Sequence, residues 1–205
     1  GNIMDLSFID AYGSALSAAL YVWNGGMESG NAVARVLSGK VNPSGRLSDT
    51  IAKRYNDYPS AKNFGGKKYN NYQEDIYVGY RFFETFDKTA VRYPFGFGLS
   101  YTTFEETGAL KKDEQGFFVD VSVKNTGDVP GKNVVAVYVS APQGELGKPE
   151  KILVGFHKTK KLETGETEEF IIRIPLENIT SFDETGCTGY KSSYVVECGE
   201  YKVFL

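Results

Sequence analysis

The stretch from Tyr93 to Phe104, Tyr-Pro-Phe-Gly-Phe-Gly-Leu-Ser-Tyr-Thr-Thr-Phe, divides the chain into halves with different rhythms. Before it, apolar residues fall in helix-like and glycine-rich turn patterns. After it the period is two. Phe117 to Lys124 alternates apolar and polar residues, Val134 to Val139 is a central apolar run, and Ile152 to Thr159, Glu168 to Ile174, Tyr194 to Cys198 and Tyr201 to Leu205 follow. Asn125-Thr126-Gly127, Pro130-Gly131, Thr164-Gly165 and Cys198-Gly199 supply the turns between them. Roughly six or seven short strands punctuated in this way predict an antiparallel β-sandwich of immunoglobulin-like or fibronectin type III-like architecture, which about 100 residues suffice to build.

The first half reads differently. Ser17 to Trp23 is a compact run without charge, which suits a strand buried on both faces of a parallel sheet. The loop Gly25-Gly26-Met27-Glu28-Ser29-Gly30 follows, and Asn31 to Ser38 then places Val33, Val36 and Leu37 at helical spacing, with Gly39 where a left-handed C-terminal cap is expected. Strand, glycine loop and helix make half of a βαβ unit. Asn42-Pro43-Ser44-Gly45 is a turn, after which Arg46 to Ile51 returns as a short extended segment. From Ala52 to Tyr93 the sequence is polar, irregular and rich in tyrosine, which predicts an ordered excursion rather than a flexible linker, because disordered segments are poor in aromatics. The predicted organisation is therefore an α+β chain: residues 1–52 as the strand-helix-strand end of an α/β domain, residues 53–103 as a connecting segment, and residues 104–205 as the sandwich.

Composition narrows the function. With 23 basic and 26 acidic residues the formal charge is -3, and no basic block offers to neutralise a run of phosphates, so nucleic acid is not an expected partner. Apolar runs are strand-length rather than bilayer-length, and no charged leader precedes an apolar segment, which predicts neither a membrane span nor a signal peptide and, on that basis, a cytoplasmic location. Secretion stays open, because the chain starts at Gly1-Asn2 without Met and residues 1–52 hold too few elements to close a layered domain, as in a piece of a longer protein. Cys187 and Cys198 are the two cysteines, and in a domain of this size free thiols are expected rather than a structural disulfide. His157 is the sole histidine, so a histidine-based metal site or a Ser-His-Asp triad has no basis in this chain; no metal and no cofactor are expected.

The glycine loop at Gly25 to Gly30 is the best candidate site. A glycine-rich turn between a buried strand and a helix sits at the carboxyl end of a sheet, where α/β folds bind ligands. Its spacing is neither that of the dinucleotide fingerprint nor that of a P-loop. The alternative is that the glycines only permit a tight turn. Glu28 is the side chain placed to face a ligand; Trp23 and Met27 flank the loop and suit stacking on a sugar ring, although a lone Trp at a strand end also serves as core. Asp49, Asp57, Glu74 and Asp75 are carboxylates of the kind that acetal hydrolysis needs in pairs; spacing alone does not show that any two face each other, and the alternative is that they are solvated or paired with Arg46, Arg54 or Arg81. His157 falls in a strand as a surface residue. The aromatic runs Tyr77 to Phe83 and Tyr93 to Phe104 read either as a carbohydrate platform or as apolar cement between two domains.

Taken together, Gly25 to Ala32, Asn42-Pro43-Ser44-Gly45-Arg46-Leu47, Glu74-Asp75-Ile76-Tyr77-Val78-Gly79-Tyr80-Arg81-Phe82-Phe83 and Tyr93 to Tyr101 closely resemble, in order and spacing, successive motifs of glycoside hydrolase family 3, and most resemble its bacterial β-glucosidases. The resemblance implies that residues up to about Thr50 are the end of the family's α/β sandwich domain and that Phe104 onward is its fibronectin type III-like domain. It also implies a retaining mechanism in which an Asp attacks the anomeric carbon and a Glu acts as acid and then base. The motifs that carry those residues in the family, on a (β/α)8 barrel and in an earlier part of the sandwich domain, are not in this chain, so no residue here inherits a catalytic role. Glu28, with Met27 where the family often has Gln, is implied near the mouth of the pocket. The expectation is a structural and accessory part of a retaining β-glucosidase, inactive by itself, that packs on barrel and α/β domains and whose parent acts on a β-glucoside or oligosaccharide. A carbohydrate-binding module and a purely structural interaction module are the alternatives.

Overall fold

The computed structural model describes residues 5–205 and divides the chain into two compact units, Gly1–Leu99 and Ser100–Leu205. Each is built by a different means.

In the first unit, helix α1 (Ser29–Leu37) forms where the spacing of Val33, Val36 and Leu37 predicts it, but none of its residues is buried. Ser17 to Trp23 does not form the expected strand: it has no regular secondary structure, and Leu20, Val22 and Trp23 are exposed. The reason is the ladder. A strand of a parallel sheet satisfies its amides and carbonyls from neighbours, and among the described residues no strand pairs with this segment. The organised part lies further on. Strand β1 (Ile51–Ala52) pairs antiparallel with β2 (Val91–Tyr93), and α2 (Tyr80–Phe86) buries Phe83 to 1% exposure against Ala52 and Ala90, with Tyr58, Phe82 and Val91 packed around them. Tyr58 makes this small core specific: its hydroxyl accepts from the Ala52 N–H at 2.9 Å and donates to the Thr50 carbonyl at 3.2 Å, while its ring meets Phe83 edge-on at 5.8 Å. Within the excursion from Ala52 to Tyr93, Tyr58, Tyr77 and Tyr80 pack on other rings, whereas Phe64, Tyr69 and Tyr72 are 75%, 81% and 86% exposed, so aromatic packing organises its two ends and not its middle.

Tyr93 to Leu99 belongs to the first unit, whereas Phe104 packs against the core of the second. Tyr93 stacks on Phe97 at 5.1 Å and Phe95 on Tyr80 at 4.9 Å. Leu47 donates to the Phe97 carbonyl at 2.8 Å and Gly96 donates back to Leu47 at 2.7 Å, so this run and the Asn-Pro-Ser-Gly-Arg-Leu turn zip together by backbone. Gly98 is needed there, since a Cβ on it would come within 2.4 Å of the Gly45 carbonyl oxygen. The Arg46 guanidinium closes the contact on the Gly98 carbonyl.

The second unit is a β-sandwich. One sheet has the order β3 (Phe104–Asp113), β4 (Gly116–Asn125), β7 (Thr167–Ile174), and the other has β10 (Lys202–Phe204), β5 (Val134–Ser140), β6 (Ile152–Lys158), all antiparallel. Alternation decides what is inside: Val119, Val121 and Val123 of β4 meet Val135, Val137 and Val139 of β5, joined by Val154, Leu162, Ile172 and Ile174. Strand β3 is almost wholly exposed on both faces, which is why no period-two signal marks it; its backbone ladder to β4 defines it. A separate hairpin, β8 (Ser181–Asp183) with β9 (Ser193–Val195), precedes β10, and β9 is shorter than the Tyr194 to Cys198 run predicts. Among the described residues no helix is long and apolar enough to cross a membrane.

Candidate functional site

The loop that leads into α1 carries Trp23, Met27 and Glu28 on the surface. Ser29 donates to the Gly26 carbonyl at 3.1 Å and Ala32 to the Glu28 carbonyl at 3.0 Å, which turns the chain directly into the helix. Gly25 is required at this turn, because a Cβ on it would lie 2.3 Å from the Ser29 Cβ. Glu28 precedes the helix, and its carboxylate accepts from the Asn31 Nδ2 at 2.6 Å, so it is held over the first turn. Met27 is fully exposed, and Trp23 rests edge-on against Tyr21 at 4.8 Å. The loop therefore presents a carboxylate, a thioether and an indole edge to solvent.

Of the carboxylates singled out from the sequence, Asp57 serves the fold. Asp57 accepts from the Arg54 N–H at 3.0 Å and caps a short 3-10 turn. Burial pushes the Asp49 carboxyl up from its ordinary range. Asp75 takes a left-handed backbone conformation, φ 49°. None of the contacts described for these residues makes an acid and nucleophile pair. Among the described residues, no group of three or more His, Cys, Asp or Glu side chains is arranged to hold a metal ion.

His157 lies on β6 opposite Val135 and is half-exposed, as expected for a surface strand residue, but it also reaches the other sheet. Its Nε2 is 3.0 Å from Glu168 Oε1, and its ring stacks on Phe170 at 4.0 Å, both on β7. Cys187 and Cys198 are free and exposed. In the hairpin register Cys187 follows Asp183 at the end where that residue pairs with Ser193, and Cys198 lies beyond Val195 at the other end; both line a groove beside the hairpin.

A feature that the sequence does not announce is a groove of 660 Å³ beside this hairpin, walled by Tyr190, Tyr194, Glu145 and Glu197. Its tyrosines stand in a segment that reads only as late strands of a sandwich, and its carboxylates come from separate loops.

Residues 1–101 match the Glycosyl hydrolase family 3 C-terminal domain, and residues 133–205 match a Fibronectin type III-like domain. The chain belongs to glycoside hydrolase family 3, of which it carries the last part of the α/β domain and the fibronectin type III-like sandwich. It is 47% identical over 204 residues to a Beta-glucosidase of Ruminococcus albus, an alignment that covers 100% of this chain and 21% of the relative. It is 45% identical to Beta-glucosidase A of Butyrivibrio fibrisolvens, with 100% of this chain and 27% of the relative covered. The crystal structure of a beta-glucosidase from Paenibacillus barengoltzii superposes with a TM-score of 0.94 at 47% identity, over 98% of this chain and 23% of that one. The chain thus spans about a fifth to a quarter of the length of these β-glucosidases.

Proposed function

We propose that this chain is the accessory C-terminal portion of a retaining β-glucosidase, and that it supports the hydrolysis of terminal β-D-glucosyl residues without supplying the nucleophile or the acid/base residue. The observation that carries this reading is the 47% identity and 0.94 TM-score to a β-glucosidase over nearly the whole chain. Retaining hydrolysis needs an attacking carboxylate and a carboxylic acid on opposite sides of the glycosidic bond, roughly 5–5.5 Å apart, and the motifs that carry these two groups in the family are not in this chain. The chain's part in the reaction is then to shape and support.

Two features favour this role. Helix α1 has no buried residue, its Leu37 is exposed, and so are Leu16, Leu20 and Val22 in the segment that precedes it, as suits a layer that packs on further α/β structure. The loop at Trp23, Met27 and Glu28 then faces the mouth of the substrate pocket, where Glu28 accepts from sugar hydroxyls or holds the loop through Asn31, and Trp23 and Met27 offer apolar contact.

The test is a comparison of this chain alone with the longer enzyme that contains it, on an aryl β-glucoside. The chain alone should release no more aglycone than buffer, and the longer enzyme should turn over. Glu28→Ala in the longer enzyme should raise KM more than it lowers kcat. Hydrolysis by this chain at a rate well above buffer, with no longer species in the mass spectrum, would sink the accessory role. An inactive longer enzyme would sink the β-glucosidase reading.

A further inference from the structure

We infer that the groove beside the β8–β9 hairpin is a binding site for the glucosyl rings of a β-linked gluco-oligosaccharide. Tyr190 and Tyr194 stand 68% and 74% exposed at its wall, two aromatic rings in one groove. Tyr194 is nevertheless held in place: it sits directly opposite Phe182 in the hairpin, with the rings 5.1 Å apart and inclined at 59°. A tyrosine fixed by its neighbour on one side and open on the other is a ready platform.

The rest of the groove is polar and equally fixed. Asp183, fully buried, does not line the groove but holds two residues that do, Cys187 and Thr188: it accepts from the N–H groups of Gly186 at 2.7 Å, Cys187 at 3.1 Å and Thr188 at 2.8 Å, and from the Thr188 hydroxyl at 2.6 Å. That carboxylate freezes the loop carrying Tyr190. On the other wall, Glu197 is anchored by the buried Lys148 ammonium, and its carbonyl accepts from the Tyr201 hydroxyl at 3.0 Å. Preorganised walls reduce the ordering cost of binding.

The chemistry selects the occupant. The lining holds carboxylates and hydroxyls, with Glu145, Glu197, Thr188 and Ser193 among them, and no lysine or arginine, so phosphates and other anions find no partner. A β-linked glucosyl chain keeps its ring hydroxyls equatorial. It therefore presents flat C–H faces to aromatic rings and a rim of donors to carboxylates, which is what this groove can meet. The volume of 660 Å³ falls within the usual size of small-ligand sites, about 300–1,000 Å³. The choice of β-linked glucose rests on the β-glucosidase reading, but the groove is formed wholly within the second unit, and the experiment measures binding to this chain, where hydrolysis plays no part.

The experiment titrates cellotetraose into the 15N-labelled 205-residue chain and follows backbone amide shifts, after gel filtration of the sugar-free protein. Saturable shifts at Thr188, Tyr190 and Ser193 to Cys198 are expected, with a dissociation constant on the order of 1 mM or tighter. Tyr194→Ala should weaken binding at least about tenfold, as loss of a stacking platform does, Tyr190→Ala should weaken it as well, and Tyr194→Phe should retain it. Both tyrosines are exposed, so their truncation leaves the fold intact and the spectrum of each variant checks this. Absence of shifts up to the solubility limit of the sugar, shifts confined to other parts of the chain, or binding unchanged in Tyr194→Ala would each overturn the site. So would a sugar-free dimer that covers these residues, which would make the groove a protein interface.

Discussion

The Thr102 hydroxyl donates to the Asn125 Oδ1 at 2.7 Å, and this contact closes the end of the sandwich where β3 and β4 meet the next loop. Asn125 is completely buried. The same oxygen accepts from Gly127 at 3.2 Å, and its Nδ2 donates to the carbonyls of Val129 and Leu162, both at 3.0 Å. A single amide thus ties together groups from separate turns, adding to the backbone pairing of Leu162 with Gly131. Asn125→Leu should destabilise the second unit by about 2–4 kcal/mol, because it strands buried partners, whereas Thr102→Val should cost about 1 kcal/mol. Urea unfolding followed by circular dichroism separates the two; equal effects would contradict the assigned network.

Asp183 gives the hairpin an acid-sensitive lock. The Thr188 hydroxyl and the N–H groups of Thr188, Gly186 and Cys187 hold its carboxyl well below the usual range. A depressed folded-state pKa contributes stability that is present above the unfolded value, about 3.9, and is lost as pH falls through the lower folded-state value. Amides of Gly186 to Thr188 should therefore stay protected from exchange at pH 5 and become exposed only in strong acid. Asp183→Asn should abolish that pH dependence. Protection in the variant that still falls with acid as in the parent would place the switch elsewhere.

Lys148 is buried and paired with Glu197, whose side chain is itself mostly buried. Removing one partner leaves a charge uncompensated, so Glu197→Leu should cost about 3–5 kcal/mol. The double variant Lys148→Met with Glu197→Leu should recover most of that loss, since an apolar pair of similar volume avoids desolvating charge. A double variant no more stable than Glu197→Leu would mean that the site is held by shape rather than by charge.

Phe83 and Leu37 offer a contrast within the first unit. Phe83 is 1% exposed at the centre of its small core, and Leu37 is 69% exposed on α1. Phe83→Ala should destabilise the unit by about 3–5 kcal/mol, and Leu37→Ala should stay within about 0.5 kcal/mol in this chain. In the longer enzyme, if α1 is covered as proposed, the Leu37 variant should lose stability too. Thermal unfolding of both forms provides the comparison.

Cys187 and Cys198 should both react with a disulfide reagent without prior reduction, since both are free and exposed. A non-reducing thiol titration that finds none would show a bridge, and with it a rearranged hairpin.

The amino-acid sequence by itself determined the sandwich, because period-two alternation is a direct record of which face is buried: Val119, Val121 and Val123 are inside where the pattern places them. It also determined helix α1 and the family motifs, which depend on local spacing and on glycines at tight turns. Tertiary structure decided what has no local record. Ser17 to Trp23 has the composition of a buried strand, yet a parallel strand exists only through partners distant in sequence, and among the described residues none pairs with it. Edge strand β3, exposed on both faces, is defined by its ladder alone. The same holds for geometry: Trp23, Met27 and Glu28 lie in one short stretch and could be proposed together from the sequence, whereas the groove joins Glu145, Tyr190, Tyr194 and Glu197 only after separate loops and a hairpin have converged. Local periodicity records burial; it does not record which distant segments meet.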